Sequence, residues 1–233
     1  MTALRGRNIL VLGGSGVLGA LISRKLIEEG AEVMATTSTN DHADRIPSVA
    51  SPRLLLDLNS ATSIEVLVRY LTQSNARIDG IVNATGLVAF GDAANLEPEI
   101  LAKLVAVNLT GPISIISGLI PNLCVSAKAG KEPFVLNISG IVAEKPMAGM
   151  AAYSATKAGL FAFDQAIARE LRRDGIRVID ARPGHTETGL AGRAIAGSAP
   201  AFAPGMSPDS VAARIVSAIV NAETDLPSTA FSA

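Results

Sequence analysis

Apolar positions along the chain come in two alternating rhythms. Asn8–Leu12 (NILVL) is a short unbroken apolar run closed by glycine, the pattern of a strand buried on both faces. Residues 17–29 then place apolar side chains at helical spacing and stop at Gly30, a residue type suited to end a helix. Further short runs predict strands at 32–36, 54–56, 78–82, Phe134–Ile138 and Arg177–Ala181. Between them, helical periodicity covers 62–74, 97–120 and 152–173, and a last helix over 208–222 opens on Ser207-Pro208. A terminal strand is expected at 228–232. Strand and helix repeated this often predict one α/β domain, a doubly wound parallel sheet with helices on both faces. Such a sheet takes its ligand at the carboxyl ends of its strands.

Composition narrows the partners. The 233 residues are 48% apolar and 18% charged, ample for a core, and the length fits a single domain. A net charge of -1 advertises neither nucleic acid nor an anionic membrane. Cys124 is the single cysteine and there are two histidines, so no metal site is expected. The polar start and the glycine-broken run after it show no targeting segment, and the chain is expected in the cytoplasm.

Chemistry gathers where strands end. After the first strand the chain reads Gly13-Gly-Ser15-Gly16-Val17-Leu18-Gly19. Glycines let backbone turn sharply beside a pyrophosphate, whose charge is met by the N-terminus of the next helix. The second strand runs into Thr36-Thr37-Ser38-Thr39-Asn40 with no carboxylate before Asp41. A carboxylate there would bind a ribose 2′-hydroxyl and repel a 2′-phosphate, so its absence leans toward NADP, with NAD the alternative and Arg45 near enough to help. Tyr153 and Lys157 stand four apart on a predicted helix, hence on one face. An ammonium beside a phenol stabilises the phenolate and makes a general acid/base for a carbonyl or alcohol.

Taken together, these residues resemble the short-chain dehydrogenase/reductase family from about Arg7 to Leu190. Asp57 follows the third strand, with Leu58 beside it, where the family contacts adenine. Asn83-Ala84-Thr-Gly86 is similar to its N-N-A-G motif, and Asn108 matches the asparagine that holds a proton-relay water. Pro183-Gly184 matches its P-G motif, with Thr186 and Thr188 following, the latter where a threonine meets the nicotinamide carboxamide. The resemblance implies a Rossmann-type NAD(P)-dependent oxidoreductase acting on a small carbonyl or alcohol substrate, with a mobile substrate loop at about 189–207. It also implies a homodimer or homotetramer built on helices at about 97–123 and 152–173, where Ala151, Ala152, Ala155, Ala158 and Gly159 allow close approach.

The sequence departs from the family pattern in places. Val17 stands where a glycine is usual, and Thr186 where Ile or Val is common. The family's catalytic serine, thirteen residues before the tyrosine, falls at Gly140. Ser139 is one residue early and points the other way on an extended strand. A bend at the glycine is expected to let the Ser139 Oγ or its backbone face the pocket. The loss of the serine keeps two alternatives open: a non-catalytic redox-sensing binder, or an epimerase or dehydratase on the same scaffold.

Overall fold

The computed structural model describes residues 3–74 and 77–231. Seven parallel strands, β1 (Asn8–Leu12), β2 (Glu32–Thr37), β3 (Arg53–Leu55), β4 (Gly80–Asn83), β5 (Phe134–Ile138), β6 (Arg177–Ala181) and β7 (Asp225–Leu226), lie in the order β3-β2-β1-β4-β5-β6-β7. Alternation along β1 sends Ile9 and Val11 to one face and Leu10 and Leu12 to the other. On the first face they meet α1 (Val17–Glu28) and α6 (Pro208–Val220); on the second, α2 (Ala61–Gln73), α4 (Gly111–Lys128) and α5 (Ala151–Leu171). Both faces being covered explains why the strands read as unbroken apolar runs.

The order reverses between β1 and β4, which pair from Ile9–Gly80 to Leu12–Asn83. Chain leaving these two strands diverges to opposite sides and opens a crevice at their carboxyl ends.

Two elements differ from the sequence reading. Residues 228–231 form a 3₁₀ turn; the edge strand is the two-residue β7, which pairs Asp180 with Asp225 and Ala181 with Leu226. The stretch predicted as one helix over 97–120 is α3 (Pro98–Val105), a π turn over Ala106–Thr110, and α4, which runs on to Lys128. By length and mean hydropathy of 1.7 the span Pro98–Lys128 could cross a membrane, but it packs against α2 and α5.

Candidate active site

The turn after β1 is built by close approach. Gly13 sits at φ +76°, and a Cβ on Gly19 would lie 2.2 Å from the Gly13 carbonyl oxygen. A Cβ on Gly14 would come 2.7 Å from that of Ala35. The turn is tied to β2 by the Gly13 N–H, which donates to Thr36 Oγ1 at 3.0 Å. Helix α1 starts at Val17 with Gly16 as its N-cap and no side-chain cap, so its first N–H groups face the crevice free to meet an anion. Val17 is 41% exposed and, with Gly16 and Leu18, lines the cavity described below. The backbone cradle therefore fits a pyrophosphate, with Ser15 on its rim.

Beyond β2 the hydroxyls of Thr37 and Ser38 diverge. Thr37 is buried, its Oγ1 donating to the Thr39 carbonyl at 2.8 Å, whereas Ser38 and Arg45 are exposed. Asp57 is exposed and its Oδ1 accepts from the Asn59 backbone and side chain at 2.9 and 3.0 Å, while Leu58 turns inward. After β4, the Ala84 N–H reaches back to the Leu12 carbonyl at 3.0 Å, joining the two strands at the switch point. Asn83 is buried; its Oδ1 accepts from Thr85 and its Nδ2 donates to Asn137 Oδ1 at 2.9 Å.

One cavity of about 670 Å³ lies across these strand ends. Tyr153 and Lys157 line it from α5, Gly86 from the loop after β4, and Pro183, Gly184, Thr186 and Thr188 from the segment after β6. Asn108, in the π turn, is buried behind that loop: its Oδ1 accepts the Leu87 N–H at 2.8 Å and its Nδ2 donates to the Leu87 carbonyl at 2.9 Å. A Cβ on Gly86 would lie 3.6 Å from both Asn108 Oδ1 and Lys157 Nζ. Loop, amide and ammonium thus converge at this position.

The electrostatics of the tyrosine–lysine pair differ from the sequence expectation. Lys157 is buried and its Nζ donates to the Ile138 carbonyl at 2.8 Å. Burial lowers its pKa to about 8, with Asp180 and Asp164 pulling the other way. Tyr153 is pushed up to about 12 by burial rather than depressed by its neighbour. The phenol therefore stands protonated at neutral pH, ready to give a proton.

Ser139 is a correction to the expected set. Its N–H and that of Gly140 both reach the Ala181 carbonyl, at 3.0 and 3.1 Å, two residues against one as in a bulge. The bend is present, yet the Ser139 side chain is fully buried and its Oγ donates to Asp180 Oδ1 at 2.8 Å. Only its backbone borders the cavity, so it supplies no hydroxyl there. Gly140 adopts φ 80°, ψ 164°.

The outer cavity is apolar. Val88, Phe90, Val142 and Met150 form one buried cluster, with Leu190 and Phe202 packed on it. The loop carrying the last two is zipped to the segment after β4 through Phe90 N–H to Ala196 O and Ile195 N–H to Val88 O, each 2.9 Å. His185 lines the cavity with its ring stacked on Phe202 at 4.7 Å. Met147, Met150, Leu190 and Phe202 line the cavity too, while Ile195 does not. Sequence reading missed Val88, Phe90 and Val142; the signal for the first two is an apolar run continuing past the β4 glycine motif, and for the third the apolar pair Ile141-Val142 after Gly140.

It also missed a buried ionic cluster behind β5. Arg182, 4% exposed, donates to Glu144, to Asp180 Oδ1 at 2.6 Å and to Asp225 Oδ1 at 2.6 Å, its guanidinium 4.3 Å above the Phe161 ring. The signal was an acid inside the buried strand RVIDA followed at once by arginine.

Residues 7–198 match the short chain dehydrogenase family. A dehydrogenase/reductase SDR family protein 7-like of Anopheles gambiae is 26% identical over 241 residues, covering 96% of this chain and 75% of that protein. The 3-oxoacyl-[acyl-carrier-protein] reductase FabG of Vibrio harveyi is 28% identical over 190 residues, 80% of this chain and 76% of its own. A short-chain dehydrogenase from Sphingobium yanoikuyae, solved in complex with NADPH, superimposes with a TM-score of 0.83 at 22% identity, over 95% of this chain and 87% of that one.

Proposed function

The chain belongs to the short-chain dehydrogenase family, and from that premise we propose that it is an NADPH-dependent reductase of a hydrophobic ketone or aldehyde. One observation carries the reading: the Tyr153 phenol and the Lys157 ammonium line one cavity at the carboxyl ends of the strands, where a phenol protonated at neutral pH can hand its proton to a carbonyl oxygen. When bound, the nicotinamide dinucleotide supplies the hydride. Gly13, Gly14, Gly16 and the start of α1 would hold its pyrophosphate, and Gly86, Pro183, Gly184, Thr186 and Thr188 its nicotinamide half. Tyr153 passes its proton to the substrate oxygen as negative charge builds there. Lys157, charged below about 8, sits one turn along and offsets the phenolate that remains. Asn108 holds the loop around Leu87 so that Gly86 stays against that ammonium. Val88, Phe90, Val142 and Phe202 exclude water and favour an apolar substrate body.

The preference for NADPH rests on exposed Ser38 and Arg45 where a carboxylate would repel the 2′-phosphate. An exposed alanine face on α5 (Ala151, Ala155, Ala162 and Ala166), with exposed Val125 on α4, supports a homo-oligomer. Gly159, in contrast, is used within the chain, where a Cβ would meet Leu109 at 3.2 Å.

A panel of apolar ketones and aldehydes, followed at the nicotinamide absorbance, tests the reading. Tyr153→Phe should lower turnover by about 10²–10⁴ while leaving NADPH affinity in place. Unchanged turnover would remove Tyr153 from the role. Fluorescence titration should show NADPH binding tighter than NADH, and Arg45→Ala should narrow the gap. NADH binding tighter by about tenfold, roughly 1.4 kcal/mol, overturns the cofactor preference.

A further inference from the structure

Behind β5, away from the substrate, two carboxyl groups face each other in the core. Asp164 lies on α5 seven residues beyond Lys157, two helical turns along the same face. Asp180 lies on β6, paired in register with Asn137 of β5. Both are nearly inaccessible, at 2% and 4% exposure. Each has one oxygen bound to β5: Asp164 Oδ1 accepts from Asn137 Nδ2 at 2.6 Å, and Asp180 Oδ1 from Ser139 Oγ at 2.8 Å. The other two oxygens, Oδ2 of each, are buried with no donor from elsewhere among the described residues, and the side chains hydrogen-bond to each other. Carboxyl oxygens in such contact need a proton between them, because two adjacent carboxylates cannot both ionise in a low-dielectric interior.

The tethers fall at a telling place. Asn137 and Ser139 flank Ile138, whose carbonyl accepts the Lys157 ammonium. We propose that Asp164 and Asp180 are positioning residues of the active site: sharing one proton and keeping one negative charge, they clamp β5 on either side of Ile138 and hold Lys157 charged and in place. The inference rests on the reductase reading only for the use made of Lys157. Asp164 is held protonated up to about 9 by burial and by Asp180; burial raises Asp180 too, but hydrogen bonds from Ser139 and Arg182 and the charge of Arg182 pull the other way, which puts the pair's single charge on Asp180. Charged or titratable groups facing Lys157 are Tyr153 and Asp164 on its own helix and Asp180 on β6, with Arg182 behind Asp180. Glu144 and Asp225 act only through Arg182, and β5 and the π turn present the neutral Asn137, Ser139 and Asn108.

The prediction is unusual for paired acids. Removing either one leaves the other to carry the charge, so Asp164→Asn and Asp180→Asn alone should leave Lys157 titrating near its wild-type midpoint. The double variant removes the charge and should lower the proton affinity of Lys157 by about tenfold or more. In cofactor-free protein with ¹³C-labelled lysine, the Lys157 Cε resonance, assigned by its absence in Lys157→Met, reads this without any turnover. The alkaline limb of the pH–rate profile should move to lower pH in parallel. A folded double variant whose Lys157 midpoint does not move overturns the proposal, whatever reaction the enzyme performs. Wild-type protein supplies a second test that needs no double variant. Infrared spectra at neutral pH should contain a buried protonated-carboxyl band that Asp164→Asn abolishes, and its absence in wild type equally overturns the shared proton.

Discussion

Restoring the family's serine at Gly140 should harm this protein rather than help it. Gly140 occupies φ 80°, ψ 164°, a region open essentially to glycine alone. Space is not the obstacle, since a Cβ there would find only the Pro183 carbonyl oxygen, at 3.8 Å. The backbone is the obstacle, and it is held on both sides. The Gly140 N–H donates to Ala181 O at 3.1 Å and the Ile141 N–H to Pro183 O at 2.9 Å. A side chain forced into this conformation costs about 1–3 kcal/mol. For a domain of this size that lowers Tm by about 2–12 °C, taking about 2–4 °C per kcal/mol. Gly140→Ala carries the same backbone cost without a hydroxyl, so the two variants should melt together in calorimetry. Against this, a well-placed donor to the substrate oxygen is worth about 10²–10³ in turnover. If Gly140→Ser melts with wild type and turns over at least tenfold faster, the loop relaxes freely and the argument from backbone conformation fails.

Ser139→Ala should act on stability first: it removes a buried donor from Asp180 and costs about 1–3 kcal/mol in urea denaturation, with a change in turnover smaller than the hundredfold expected for a lost substrate donor. Arg182→Met should cost about 3–5 kcal/mol, because Asp180, buried in the core, is left without its cation. The same variant has a pH signature. Burial pushes the Glu144 carboxyl up, but hydrogen bonds from Ser228 and Arg182 outweigh it and hold the group below its ordinary 4.5. A folded pKa below the unfolded one gives stability that is complete above about 4.5 and lost as acid passes through the folded pKa. Arg182→Met should flatten that acid limb in denaturation curves taken at successive pH values.

Most of the architecture was legible because both faces of the sheet are covered, which turns β1, β5 and β6 into apolar runs with clear ends. Where a run is too short to show a rhythm, legibility stops. Strand β7 has two residues and one buried side chain, Leu226, while the apolar Ala230 and Phe231 beyond it belong to a 3₁₀ turn. The π turn at Ala106–Thr110 has no periodic signature either, since its apolar spacing merges with the helices around it. In the site, glycine turns and the tyrosine–lysine spacing were readable as local geometry. The charge state of Tyr153 was not, because burial depends on walls contributed from four separate segments. Asp164 is the instructive miss: it takes a buried position in the series Leu160, Asp164, Ile167, Leu171, where an acid breaks the apolar face of α5. An acid there makes sense only beside the second acid in β6, and no spacing within one element reveals that partner.

The bend at Gly140 and the inward turn of Ser139 are consequences of one arrangement. The bulge that lets Ser139 reach Asp180 is followed by a residue of positive φ, and that residue cannot carry a side chain cheaply. The hydroxyl is thus spent behind the sheet, and on the proposed reading the substrate oxygen would meet one side-chain donor from these segments instead of two. A single donor serves only if it is protonated at the working pH and if water does not compete with it. The cluster of Val88, Phe90, Val142 and Met150 serves the second condition, since apolar surroundings strengthen a hydrogen bond, and the first is met already by a phenol whose ordinary pKa is about 10. On the proposed reading, the electrostatic steadying lost at Gly140 is offset by dryness around Tyr153. A buried ammonium with a proton affinity lowered to about 8 would weaken in such surroundings, which is where a retained negative charge behind β5 has its use. The acids in the core and the glycine at the bend are then two ends of a single solution to a polar site enclosed by apolar walls.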